Sequence, residues 1–180
     1  MNKKLYIILS VLIVILIFLN SEKFSLDPKI KDCFIETEER IVKGSSLSPL
    51  VKPGQTIKAL FGYYNCNEIK RGDVVLFNYA GNKNPLIKIV KGISGDKFQL
   101  KQLDSSWNII VNNKIVKNSE DKPYLISGNA YKMLSLYEKD YKGIIPENTY
   151  LLLGNRVSGS LDSTTFGLVD KNGIIAKVEI

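Results

Sequence analysis

The sequence predicts a mainly β domain of about 140 residues, a common single-domain size, behind one amino-terminal membrane anchor. Three observations predict it. A continuous apolar run at 5–19 opens the 180-residue chain. Short apolar runs rich in β-branched residues follow, each bounded by Gly, Asn or Pro. Only residues 130–139 carry a helical pattern, and that segment is short.

The elements follow in order. The run LYIILSVLIVILIFL spans roughly 22 Å as a helix, against a hydrocarbon core of about 30 Å. Lys3 and Lys4 before it are long enough to snorkel and make up the difference. Phe18-Leu19-Asn20-Ser21-Glu22-Lys23 offers no small-x-small cleavage pattern, so residues 1–20 read as an anchor that is retained. Lysines precede the run and Glu22 follows it, which puts the amino end in the cytoplasm and the rest outside. Residues 21–39 mix charges of both signs with Pro28 and read as a juxtamembrane connector. Residues 40–180 form the domain. Strands are expected at 56–61, 74–77, 86–90, 107–111, 150–153 and 173–178. Asn112-Asn113 suits a tight hairpin turn between 109–111 and 114–116.

Composition narrows the chemistry. The chain has 25 Lys+Arg, 18 Asp+Glu, two Cys and no His. A Ser-His-Asp triad, a Cys-His protease and a His-ligated zinc centre are therefore excluded within the chain. An enzyme built on it needs a lysine, a carboxylate, a tyrosine or the terminal amine as its base. The net charge of +7 suits an anionic surface such as a lipid bilayer. The lysines are spread out and form no basic stripe, so no nucleic-acid partner is expected. Cys33 and Cys66 both lie beyond the anchor, in an oxidising space. They can pair, or they can be two unpaired small residues.

Three segments stand out as carriers of chemistry. Lys88 interrupts Pro-Leu-Ile-Lys-Ile-Val, and alternation puts it on one face with Leu86 and Val90. A lysine held among apolar neighbours loses hydration, its pKa falls, and it becomes a usable base. A lone lysine in a strand is more commonly an edge residue reaching for water. Gly44-Ser45-Ser46-Leu47-Ser48-Pro49 is a sharply turned loop able to expose a hydroxyl. Gly154-Asn155-Arg156 and Ser160-Leu161-Asp162-Ser163 follow an apolar strand as a polar loop.

In this order the segments resemble the membrane-bound type I signal peptidases, a family of Ser-Lys dyad proteases. The resemblance runs from about Val42 to Val169. Ser46-Leu47-Ser48-Pro49 is similar to the family's Ser-Met-x-Pro segment, and Gly72-Asp73-Val74-Val75-Leu76-Phe77 to its Gly-Asp-Val-Val-x-Phe strand. Lys88-Ile89-Val90-Lys91-Gly92-Ile93-Ser94-Gly95-Asp96 looks like the segment that carries the base. Val111-Asn112-Asn113-Lys114 resembles a downstream hairpin. The loop from Gly154 to Ser163 is similar to the last family block, Gly-Asp-Asn-Arg-x-x-Ser-x-Asp-Ser-Arg, with Pro146 and Tyr150 leading into it.

The resemblance implies a signal-peptidase-type antiparallel β-sheet catalytic domain, related to that of the self-cleaving repressors, with no metal or other cofactor. It implies Ser46 as nucleophile and Lys88 as base. Ser160 would orient Lys88, and Asp162 would brace the loop that bears Ser160. The backbone N–H of Ser46 would hold the oxyanion; Gly44 stands where some members add a serine hydroxyl, so a further donor would come from backbone or from nearby Ser45. An extended substrate would add as a strand along 40–44 and 85–87, against Ile41, Val42, Lys43, Leu86 and Ile87. Shallow pockets would favour Ala-x-Ala before the scissile bond. The implied partners are the signal peptides of exported preproteins and the lipid bilayer.

The sequence departs from the pattern in places. Leu47 replaces methionine, and Ile89 and Ser94 replace the arginine and proline of the base segment. The last block lacks its first Asp, has one extra residue between Arg156 and Ser160, and carries Thr164 where an arginine is usual. A specialised peptidase of the same class, such as one maturing a conjugative pilin, is a second reading. A non-catalytic anchored β domain is a third; in it Ser46 and Lys88 are a loop serine and a snorkelling lysine.

Overall fold

A computed structural model of the chain describes residues 35–80, 84–157 and 159–180. The anchor expected at 1–20, most of the connector and Cys33 lie outside the described residues. Among the described residues no helix is long and apolar enough to cross a membrane. Cys66 is disulfide-bonded.

Two antiparallel sheets carry the fold. The larger has the order β1 (Glu36–Ile41), β2 (Thr56–Phe61), β11 (Ile174–Glu179), β3 (Val74–Phe77), β4 (Leu86–Gly92), β9 (Thr149–Leu153) and β10 (Val169–Asp170). The smaller runs β5 (Phe98–Leu103), β6 (Ser106–Val111) and β7 (Lys114–Ile115), with β8 (Leu125–Ile126) also paired to β6. The helix α1 (Gly128–Asp140) extends the expected 130–139 segment at both ends. A short turn of helix, α2 (Ser163–Phe166), follows the polar loop.

The strands expected from apolar runs are all present. Asn112 and Asn113 both take positive φ, 49° and 63°, in the two-residue turn between β6 and β7. Four strands go beyond the sequence reading, the two-residue β8 and β10 and the longer β1 and β5. β1 takes in Glu36, Thr37, Glu38 and Glu39, which the sequence assigns to the connector. It is an edge strand whose one partner in the sheet is β2. Edge strands carry charges that blunt their free edge, so charge there does not exclude a strand. β5 is a period-two strand: Phe98 and Leu100 are buried, while Gln99 and Lys101 are exposed.

Alternation sorts the large sheet's side chains into two cores. Ile57, Ala59, Val74, Leu76, Ile89 and Val178 pack on one face, where Leu47 and Val51 from the loop after β1 join them. Val75, Phe77, Val90, Tyr150 and Leu152 pack on the other. Leu151 and Leu153 of β9 contribute to a third cluster, with Phe98 and Ile109 of the smaller sheet, Tyr124 just before β8 and Leu134 of α1. β9 is therefore the element that couples the two sheets, and the loop leaving its end carries the last polar segment of the site.

Candidate active site

The loop after β1 is folded by its own backbone. Val42 N–H donates to Gln55 O at 2.9 Å, and Gly54 N–H donates to Val42 O at 2.7 Å, closing the hairpin. Ser48 N–H bonds Ser45 O at 3.0 Å, and Val51 N–H bonds Leu47 O at 3.0 Å. Leu47 and Val51 have no exposed surface, so they plug the loop into the core and leave Ser46 half-buried above them. Leucine fills the position of the family's methionine, a swap that nearly conserves volume. The Ser46 carbonyl accepts from the backbone N–H of Asn155 at 2.7 Å and of Arg156 at 3.2 Å. The loop is thus pinned to the segment that leaves β9.

Lys88 lies in β4, 2% exposed, sharing a face with Leu86 and Val90 by alternation. Its Nζ donates to Ser46 Oγ at 3.0 Å and to Ile87 O at 2.9 Å. Burial pulls the amine's pKa down from 10.5 to about 8, against an opposing pull from the Asp162 carboxylate. The neutral amine is therefore accessible near physiological pH, beside a hydroxyl that is 42 residues away in sequence.

The polar loop after β9 organises the surroundings. Asp162 accepts from Gly154 N–H at 2.9 Å, from Thr164 N–H at 3.0 Å and from the Thr164 hydroxyl at 2.7 Å. Threonine at the usual arginine position thus satisfies Asp162 through a hydroxyl instead of an ion pair. A Cβ at Gly154 would collide with the Ser160 side chain and the Ser46 carbonyl, so only glycine fits this crossing point. Among the described residues, Ser160 Oγ, buried there, has no hydrogen-bond partner. The bond expected between Ser160 and Lys88 is not formed; the amine's bonds run to Ser46 and Ile87. Ser45 Oγ accepts from Arg156 Nη1 at 3.1 Å, and Gly44 has open space beside its Cα.

The five residues expected along a bound peptide, Ile41, Val42, Lys43, Leu86 and Ile87, line one cleft with Gly44, Ser46 and Lys88. Ile57 and Leu76 also line it. Its volume, about 190 Å³, is below the roughly 300 Å³ at which drug-sized sites begin, which suits short side chains. Val42 spends its backbone on the hairpin, so by the two-residue period the free edge of this segment is at Ile41 and Lys43. β9 pairs with β4 only from Ile89 onward. Val90 bonds towards Gly72 and Asp73, so Ile87 turns its N–H and C=O to the opposite edge, where no strand among the described residues pairs with it and its C=O accepts from the Lys88 amine. The cleft therefore has strand edges on both of its walls.

Sequence reasoning gave Asn155 no role beyond membership of a motif. The residue has no exposed surface. Its Nδ2 donates to Ser119 Oγ at 2.8 Å and to Ser48 O at 3.3 Å, and its Oδ1 accepts from Ser119 N–H at 2.9 Å. Asn118 Nδ2 donates to Asn155 O at 2.9 Å, and Tyr124 OH to Gly154 O at 2.5 Å. A polar residue straight after the apolar β9 was the available signal. Its partners at 118 and 119 carry no local signal at all.

A serine hydroxyl held by a water-shielded amine, opening onto a cleft with free strand edges in an antiparallel β domain, defines the class of serine hydrolases that use lysine where others use histidine. The family model described as "Signal peptidase, peptidase S26" matches residues 5–180, and the chain belongs to that family. Signal peptidase IB of Staphylococcus aureus strain COL is 31% identical over 149 residues, covering 76% of this chain and 73% of that one. Signal peptidase I of Bacillus caldolyticus is 30% identical over 142 residues, covering 77% and 75%. A crystal structure of a signal peptidase I from Enterococcus faecalis V583 aligns with a TM-score of 0.43 and 19% identity, over 63% of this chain and 98% of that one.

Proposed function

We propose that the chain is a membrane-anchored serine endopeptidase that removes amino-terminal signal peptides from exported preproteins, with Ser46 as nucleophile and Lys88 as general base. The observation that carries the assignment is the 3.0 Å bond between Lys88 Nζ and Ser46 Oγ, with the amine 2% exposed. The 31% identity to a signal peptidase IB supports the substrate class.

The neutral Lys88 amine takes the Ser46 proton as Oγ attacks the scissile carbonyl carbon. The tetrahedral oxyanion is held by the Ser46 N–H, with Gly44 leaving room and Ser45 alongside. Collapse breaks the peptide bond, the Lys88 ammonium gives its proton to the departing amine, and an ester links the signal peptide to Ser46. A water deprotonated by the same amine then hydrolyses the ester. Asp162 braces the loop bearing Ser160. The peptide lies as a strand between the free edges at Ile41–Lys43 and Leu86–Ile87.

Residues 1–20 would anchor the chain, 21–39 would form the connector, and 40–180 would form the catalytic domain outside the cytoplasm. The disulfide at Cys66 fits an oxidising compartment. Cleavage of a preprotein by the purified chain tests the assignment. Ser46→Ala and Lys88→Ala are each expected to lose nearly all activity. Undiminished cleavage by Lys88→Ala overturns the dyad.

A further inference from the structure

The charges around the cleft are one-sided. Among the described residues, Arg40, Lys43 and Lys88 line it and no carboxylate does. Two of the three cations are committed. Arg40 is paired with Glu38, Nη2 to Oε2 at 2.6 Å and Nε to Oε2 at 3.0 Å, and its guanidinium covers the Phe61 ring at 5.0 Å. Lys88 is buried on Ser46 and Ile87. Lys43 is exposed and, among the described residues, has no acidic partner. Arg156, exposed beside the same loop on Ser45, also has none. The exposed charges next to Ser46 that lack an ion-pair partner among the described residues are therefore both positive, while the Asp162 carboxylate that acts on Lys88 is buried.

We propose that Lys43 makes this cleft select peptides with an acidic residue immediately before or after the residue whose carbonyl Ser46 attacks, and reject those with a basic residue there. The inference rests on the peptidase reading above. In an extended peptide successive side chains point to opposite sides. When the attacked residue turns its side chain into the cleft, both its neighbours face the rim. Lys43 stands at that rim, three residues before the nucleophile, with its backbone on the free edge. A carboxylate on either neighbour meets an unpaired ammonium, while a lysine meets two like charges, and such repulsion is a usual source of specificity.

The test uses the full-length chain in uncharged detergent micelles and synthetic peptides ending their signal portion in Ala-x-Ala. One series sets x to Glu, Gln or Lys; the other sets the first residue after the bond to the same three. At low salt kcat/KM is expected to fall in the order Glu, Gln, Lys in at least one series, by about three- to fivefold per step, as for exposed ion pairs. The differences should shrink in 0.5 M salt, where the Debye length is only a few ångströms. Lys43→Gln should flatten the order, and Lys43→Glu should reverse it. Equal cleavage of all three peptides in both series, or an order that survives Lys43→Gln, overturns the inference while leaving the peptidase reading intact. Cleavage of no peptide by the unmodified chain overturns both.

Discussion

Lys88 works against the stability of the domain that holds it. Its amine is displaced from 10.5 to about 8 by burial, which corresponds to about 3 kcal/mol between the two protonation states. Below pH 8 the amine is protonated in both the folded and the unfolded chain, and folding bears the whole cost of burying the charge. Between about 8 and 10.5 the unfolded chain keeps the proton and the folded chain has released it, so this cost fades as pH rises. Lys88→Met, of similar length and without charge, is therefore expected to be about 1–3 kcal/mol more stable than the parent at pH 7 and inactive. Urea denaturation measures the first; a less stable variant would contradict the burial argument. Activity carries the same signature with the opposite use: kcat/KM should rise with pH through about 8 as Lys88 becomes neutral. With no histidine in the chain, no imidazole step can stand in for it. Lys88 was legible in the sequence as a cation inside an apolar strand, whereas Ser46, one of three serines in a turn, was picked out only by the ordered resemblance to a family. Asn155 was not, because its significance lies in contacts with Ser119, 36 residues away.

At the level of elements, the loop bearing Ser46 and the segment leaving β9 are one unit. Two backbone N–H groups of that segment hold the Ser46 carbonyl, the Asn155 side chain ties it to Ser48 and Ser119, and Gly154 lets the two chains approach. Asn155→Ala leaves the Ser119 N–H and the Ser48 carbonyl without this partner, and is expected to cost about 1–3 kcal/mol. It should also lower kcat more than it raises KM, since it loosens the nucleophile and leaves the cleft walls in place. Gly154→Ala should be more damaging to kcat, because its methyl group meets both the Ser160 side chain and the Ser46 carbonyl. Peptide hydrolysis rates with parallel thermal melts separate the two effects, and a Gly154→Ala protein with normal kcat would contradict this close crossing. The β-branched runs made most strands legible. β1 was not, since a charged edge strand and a polar connector have the same composition. β5 was legible in principle through its alternation, but its apolar positions are too sparse to form a run.

For the whole molecule, the sheet order matters more than any one strand. β1 and β4 are separated in the sheet by β2, β11 and β3, yet the loop after β1 returns over the sheet so that Ser46 meets Lys88. Nothing in composition or periodicity encodes that return; only the ordered resemblance to a family did. The residues of the cleft and the proposed pair at its head all fall in 40–163, so the proposed dyad and cleft draw on no residue of the apolar run at 5–19. An anchor then contributes by concentration, holding the enzyme in the same membrane as a preprotein whose signal peptide is also inserted there; tethering of this kind raises apparent affinity by orders of magnitude with no new contact. Deleting residues 1–20 tests this and keeps Cys33 available to Cys66. The shortened chain should cleave a short soluble peptide with kcat/KM within about twofold of the full chain, while processing of a preprotein in lipid vesicles falls by about a hundredfold or more. Equal loss on both substrates would assign the amino-terminal segment to the fold of the site, and equal retention on both would remove the anchor from the mechanism.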